Sequence, residues 1–188
     1  MASTYYTSDE HHDHLNKQAT GIIDYCKRPF RNIDQNSKVI IERYNDTVTE
    51  NDTVIHIGDF SLRGNSHFSY YESLMRKYKK VKARHLILGN HDSLDPFKYH
   101  EIGFTSVHTV FWASSVLPNG QPCKLLMAHD PSFYQPAVYD YIMLCGHVHN
   151  LFKTLPDKKI VNVGVDVWDF APVSEERIFQ ELIANKLL

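Results

Sequence analysis

Apolar residues recur every three or four positions over residues 34–48. Val39, Ile40, Ile41, Tyr44 and Val48 fall on one side, which predicts an amphipathic helix. A second helix is predicted over 66–79, with Phe68, Tyr71, Leu74, Met75 and Tyr78 turned inward. Short apolar runs at 5–7, 53–57 and 81–88 have strand length. The second half changes period: residues 107–112, 125–127, 141–145 and 160–165 read as strands with few helices between them. Asn119-Gly120, set between two such runs, is a hairpin signal. Ser174 caps a last helix whose first turn holds Glu175 and Glu176, favourably placed against the macrodipole. Strands alternating with helices, then mostly strands, predict an α/β fold of two packed sheets flanked by helices, a layered sandwich.

Composition narrows the class without naming a chemistry. The 188 residues fit one domain, 1–188, with no repeat, low-complexity segment or linker. A chain of this size removes about 70% of its unfolded surface from water. The formal net charge of -2 predicts no global pull on nucleic acid or anionic membrane. Cys26, Cys123 and Cys145 form no Cys-x-x-Cys pair, which points away from a disulfide framework or thiolate zinc site and toward a reducing, cytoplasmic setting. The N-terminus lacks the pattern of a secretory signal, and no apolar stretch reaches the length of a membrane span. Twelve histidines are many for this length, and histidine is the commonest metal ligand.

Five of those histidines fall in short pieces that carry His, Asp or Asn, most of them directly after a predicted strand: Ser8-Asp9-Glu10-His11, Gly58-Asp59, Gly89-Asn90-His91-Asp92, His129-Asp130 and Gly146-His147-Val148-His149. Asp9 and His11 are two apart at a strand end, so strand alternation would send both side chains to one side. His147 and His149 repeat that spacing. Gly58 allows a sharp turn that presents Asp59. In the third piece Asn90 offers a neutral carbonyl oxygen, His91 is free to be a proton donor, and Asp92 would hold the His91 ring. Each piece alone has a bland reading: a turn aspartate, a surface histidine, a polar loop.

Together they define two ligand sets. Asp9, His11, Asp59 and His149 can surround one cation, and Asp59, Asn90, His129 and His147 a second. A shared Asp59 would hold the pair at the ~3.5–4 Å spacing of two-metal hydrolases. Nitrogen and oxygen ligands without thiolate suit two divalent ions, manganese first, with iron, zinc, nickel or magnesium as alternatives. Two such ions bring more positive charge than Asp9, Asp59 and a bridging hydroxide cancel, and the surplus favours an anionic substrate such as a phosphoester.

The order Asp-x-His, Gly-Asp, Gly-Asn-His-Asp, His, Gly-His-x-His closely resembles the calcineurin-like metallophosphoesterase superfamily over residues 9–149. The resemblance implies a four-layer α/β-β/α sandwich of two mixed sheets with a dimetal centre at one edge, the ligand sets above, and His91 near the leaving group. The stretches 25–30 and 162–168 look like those of a small subgroup of compact bacterial and phage phosphoesterases. One departure stands out. The protein phosphatase branch follows Gly-Asp with an acidic residue and an arginine, and here Leu62 takes the acidic place while Arg63 remains. That puts protein phosphatase activity in doubt.

The expected reaction is hydrolysis of small phosphodiesters or phosphomonoesters, such as nucleotides or cyclic nucleotides. A metal-bridging hydroxide would attack in line, and His91, as imidazolium kept oriented by Asp92, would protonate the departing oxygen. His14, Arg28 and Arg63 are candidate phosphate contacts. Tyr134 and Tyr139 could line the pocket, although packing is the better reading. The basic run 76–84 reads as a solvated helix end before a nucleic-acid patch. The expected partner is a small phosphoester, with no membrane and no strong grip on long nucleic acid. A nuclease acting on polynucleotide ends is the alternative. A non-catalytic metal-binding scaffold fits less well, because every ligand position and His91 are filled.

Overall fold

The computed structural model describes residues 2–14, 21–135, 140–155 and 157–188. Strands β1 (Thr4–Thr7), β2 (Thr53–Ile57), β3 (Ala83–Ile87) and β4 (Ser106–His108) run parallel, and β9 (Val173–Ser174) joins β1 antiparallel. This first sheet has the order β4-β3-β2-β1-β9. A second sheet, β5-β6-β7-β8, pairs β5 (Val110–Val116) with β6 (Pro122–Ala128) antiparallel, then β7 (Ile142–Cys145) and β8 (Ile160–Asn162) parallel. Both sheets are therefore mixed, and the architecture is the expected α/β sandwich.

Helices α2 (Ile33–Thr47), α3 (Phe68–Met75) and α4 (Pro96–Glu101) cover the outer face of the first sheet. Ile41, Tyr44, Tyr71, Leu74 and Tyr99 meet Val54 and Leu86 there. Between the sheets, Ile55, Ile57 and Ile87 face Leu125, Met127, Leu144 and Val161. Helix α5 (Glu175–Ala184) closes this core with Ile178, Phe179 and Leu182, and the Ser174 hydroxyl accepts from the Arg177 amide at 3.2 Å as its cap. On the outer face of the second sheet, Leu126, Met143 and Ile160 pack with Tyr134, Phe152 and Leu155 from connecting segments, so the fourth layer is thin. None of the described helices is long and apolar enough to cross a membrane.

Several elements depart from the sequence expectation. The apolar run 107–112 is two strands in two sheets: β4 ends at His108 and β5 begins at Val110. Alternation persists through the crossover, so it carries no mark of the switch. The 66–79 helix opens as a 3-10 turn over Gly64–His67 and stops at Met75. Tyr78 still reaches the core, 5% exposed, from the turn that follows. The 160–165 strand ends at Asn162, whose side-chain oxygen accepts from the Gly164 amide at 2.8 Å and turns the chain. The basic run behaves as a helix end, but for a neighbouring helix: Lys79 donates to the Asn45 and Val48 carbonyls at the end of α2. Gly120, with φ of 85°, sits in the predicted β5–β6 hairpin, where Leu117 and Gln121 close the turn at 2.8 Å. Tyr134 packs on Tyr141 with ring centroids 5.3 Å apart, as packing predicts, while Tyr139 lies outside the described residues.

Candidate metal centre

The loops that follow β1, β2 and β3 leave the same edge of the first sheet because those strands are parallel, and the loops after β6 and β7 do the same in the second. Carboxyl ends of parallel strands are where α/β folds place ligand sites. All seven expected ligands converge there. His11 Nε2 lies 3.4 Å from Asp59 Oδ2 and 3.9 Å from Asp9 Oδ1. His129 Nε2 lies 3.2 Å from the same Asp59 oxygen. His149 Nδ1 is 3.9 Å from Asp9 Oδ1, and His147 Nδ1 is 2.9 Å from Asn90 Oδ1. Donor atoms of Asp9, His11 and His149 fall within 4.8 Å of one another, as do those of Asp9, Asp59 and His129.

Strand alternation is not what gathers them. β1 ends at Thr7, and Asp9 and His11 take left-handed backbone, φ 61° and 51°. Asp59, His147 and His149 do the same, at 57°, 71° and 48°. Non-glycine residues rarely occupy this region, and such strain collects at functional sites. Two glycines make room for the kinks. A Cβ on Gly89 would overlap Asp59 Oδ1, and one on Gly146 would overlap Ser8 Oγ and stand 2.5 Å from Asp9 Oδ2.

The site suits cations. His11 Nε2 and His129 Nε2 are buried without a hydrogen-bond partner, although Asp59 Oδ2 lies near both but off the line a hydrogen bond needs. The other face of each ring is engaged. His129 Nδ1 donates to the Ile57 carbonyl at 2.8 Å, and His11 Nδ1 meets His14 Nδ1 at 3.1 Å. That arrangement turns the free nitrogens inward, as a metal-binding histidine requires. In the metal-free protein, burial opposes protonation of His129, but its contact with Asp59 and the Asp9 charge outweigh burial and raise it to about 9. His149 is likewise raised to about 10, burial being outweighed by Asp166, Cys26 and Asp9. Burial pushes Asp9 up and, helped by the Arg28 charge, pushes His11 well down.

Three residues take other roles than expected. Arg28 is no phosphate contact, because all five of its N–H donors are spent. Nε and Nη2 hold Asp166 at 2.7 and 2.8 Å, Nη1 reaches Asn36 Oδ1 and the Glu10 carbonyl, and Nη2 also reaches the Asp9 carbonyl. Arg63 packs its guanidinium against His67 Nε2 at 3.3 Å and is not among the described residues that line the cleft. Asp92 does not hold the His91 ring. Its carboxylate accepts the backbone N–H groups of Asp59, Ser61 and Gly89 at 2.8–2.9 Å, so it clamps the loops after β2 and β3. Desolvation nevertheless pushes that carboxyl up to about 7.

His14 and His91 do stand in the cleft, with ring centroids 5.4 Å apart, and His91 Nε2 is 4.0 Å from Asp59 Oδ2. The cleft holds ≈ 250 Å³ and is lined also by Ile22, Tyr25, Asn90 and His147. Sequence reasoning missed Tyr25, Ile22 and Asp166 as site residues. They lie on α1 (Ile22–Cys26), a helix too short for a periodic signal, and in a 3-10 turn over Val165–Val167.

A two-sheet α/β sandwich with histidines and carboxylates gathered at the strand ends frames a candidate metal centre, and the family match supports a metal-dependent phosphoester hydrolase in general class. The chain belongs to the calcineurin-like phosphoesterase family, which it matches over residues 4–151. It is 28% identical over 203 residues to the uncharacterized protein MJ1445 of Methanocaldococcus jannaschii, covering 100% of this chain and 96% of that relative. Its fold is similar to the crystal structure of AQ665, a protein of unknown function from Aquifex aeolicus. The TM-score is 0.67 at 20% identity, over 96% of this chain and 100% of that one.

Proposed function

We propose that this protein hydrolyses small phosphoesters with two divalent cations, manganese foremost. Asp9, His11, Asp59 and His149 hold one, and Asp59, Asn90, His129 and His147 hold the other. The observation that carries this reading is the pair of buried, unpartnered nitrogens, His11 Nε2 and His129 Nε2, on either side of one carboxylate oxygen of Asp59. Bound cations supply Lewis acidity to the phosphoryl oxygens and to an attacking water.

The chain's own groups do the rest. Asp59 spans both sets. The Ile57 carbonyl accepts from His129 Nδ1 and so leaves Nε2 as the nitrogen that would ligate. Asn90 and His147 are exposed at the lip, so substrate enters on their side. His91 presents Nε2 toward the centre and is 35% exposed, which leaves it in reach of both the departing oxygen and solvent. It gives its proton to that oxygen and regains one from water.

The decisive experiment is metal analysis with a screen of nitrophenyl phosphate, bis-nitrophenyl phosphate and nucleotide esters. Chelated protein is expected to regain hydrolysis when manganese returns. His91→Ala should keep its metal yet lose about 10²–10⁴-fold in turnover, most for poor leaving groups. Unchanged rates on alkyl and nitrophenyl esters would remove His91 from the reaction.

A further inference from the structure

Tyr25 lines the cleft but takes no part in the proposed chemistry. Its side chain is 72% exposed, yet the helix beneath it is fastened. Ile22 and Cys26 are buried with Ile33, and the Cys26 carbonyl accepts from Asn150 Nδ2 at 3.2 Å. Arg28, just past the helix, is locked by its five hydrogen bonds. Single exposed aromatics are ordinary on protein surfaces. This one is set apart by its place, because it meets His149 edge-on with centroids 5.7 Å apart and lines the same cleft as Asp59 and His91.

The rings form a series of neighbours. From Tyr25 to His149, His11 and His91 the successive centroids are 5.7, 5.2 and 5.2 Å apart. His91, the proton donor, is the last ring of this series and Tyr25 the first. In-line displacement sends the departing oxygen toward His91. With the departing oxygen held at His91, a second ester group held against Tyr25, with two rings of the series between, is the one that stays on phosphorus. A monoester has no such group, whereas a diester does.

We propose that Tyr25, held in place by the buried Ile22 and Cys26, is a subsite for a flat aromatic ring on the retained ester of a phosphodiester, an aryl or nucleoside group. The inference rests on the phosphoesterase reading and on the role of His91. In the reaction, the water oxygen bonds to phosphorus and the bond to the leaving ester breaks. The His91 proton goes to the departing oxygen, and the proton from water restores His91. The product is a monoester that still carries its ring at Tyr25.

Two diesters with one leaving group isolate the subsite: bis-nitrophenyl phosphate keeps an aryl group on phosphorus, and ethyl nitrophenyl phosphate keeps an alkyl one. With manganese-loaded protein, Tyr25→Ala should lower the ratio of kcat/KM between them about tenfold, mainly through KM, as loss of one stacked ring does. Tyr25→Phe should preserve the ratio. An unchanged ratio in Tyr25→Ala overturns the subsite. Calorimetric binding of diphenyl and diethyl phosphate separates the two levels of the argument. If no ester is cleaved but Tyr25→Ala still weakens diphenyl phosphate selectively, the subsite stands and the phosphoesterase reading falls. If the wild-type protein binds both phosphates equally, the subsite falls.

Discussion

Arg28 and Asp166 act on the metal centre without belonging to it. Their side chains are 0% and 3% exposed, and the Asp166 carboxylate is shared between the guanidinium and His149 Nδ1 at 3.2 Å. Arg28 therefore fixes two flanks of one cation site at once: the Asp9 carbonyl directly, and the His149 ring through Asp166. Outer partners of this kind orient ligands and typically govern 10–100-fold in metal affinity. Asp166→Asn keeps the shape and removes the charge that holds His149, so manganese should bind about 10–100-fold more weakly at one of its two sites. A two-step titration that matches wild type at both sites would reduce Asp166 to a structural role. Arg28→Ala leaves the buried Asp166 carboxylate with His149 but without its guanidinium, and urea unfolding should show a loss of about 3–5 kcal/mol, the usual cost of breaking a buried pair. Neither residue stood out in the sequence as a partner of His149. Their ion pair closes 138 positions of chain, and no local spacing encodes it.

The strand ends were legible because glycine, aspartate, asparagine and histidine directly follow apolar runs. What the runs could not show was how the chain turns after them. Strand alternation predicted that Asp9 and His11 would project alike, but the structure reaches that result through left-handed backbone at both residues. A kink of this kind brings the loops after β1, β2 and β7 close enough that only glycine fits between them. Gly89 and Gly146 need no left-handed φ, so their requirement is proximity alone. A methyl group at Gly146 would press on Ser8 and on the Asp9 carboxylate, and overpacking of this kind costs about 1–3 kcal/mol. Gly146→Ala should therefore lower thermal stability and manganese content together. Full metal loading at the wild-type melting temperature would show that the loop yields freely and that the close approach is incidental. The switch of sheets after His108 was invisible for a related reason. Hydrophobic periodicity reports which face of a strand is buried, not which sheet the strand joins.

At the scale of the molecule, the site is where the two sheets are tied. Asp9, His11, Asp59 and Asn90 come from loops of the first sheet, and His129, His147 and His149 from loops of the second. Backbone bonds already cross this line: the Val165 amide donates to the Ser8 carbonyl at 3.0 Å, and the His147 amide to Asp9 at 3.1 Å. Without cations, protons do the remaining pairing. His129 and His149 have folded-state values near 9 and 10, above the ordinary 6.5. The stability they give the metal-free protein is therefore complete below about pH 6.5 and is lost as pH rises through 9 to 10. A cation must displace those protons, since a ligating imidazole is neutral. At pH 7 manganese binding should release about two protons, one from each histidine, and apparent affinity should climb from pH 6 toward 9. Calorimetry in two buffers of different ionisation enthalpy measures the release directly. If the binding heat is the same in both, the histidines are already neutral in the metal-free protein, and the charge pairing that ties the sheets without metal does not exist. With manganese bound, the alkaline loss of stability should disappear, because the cation takes over both carboxylates from the protonated rings.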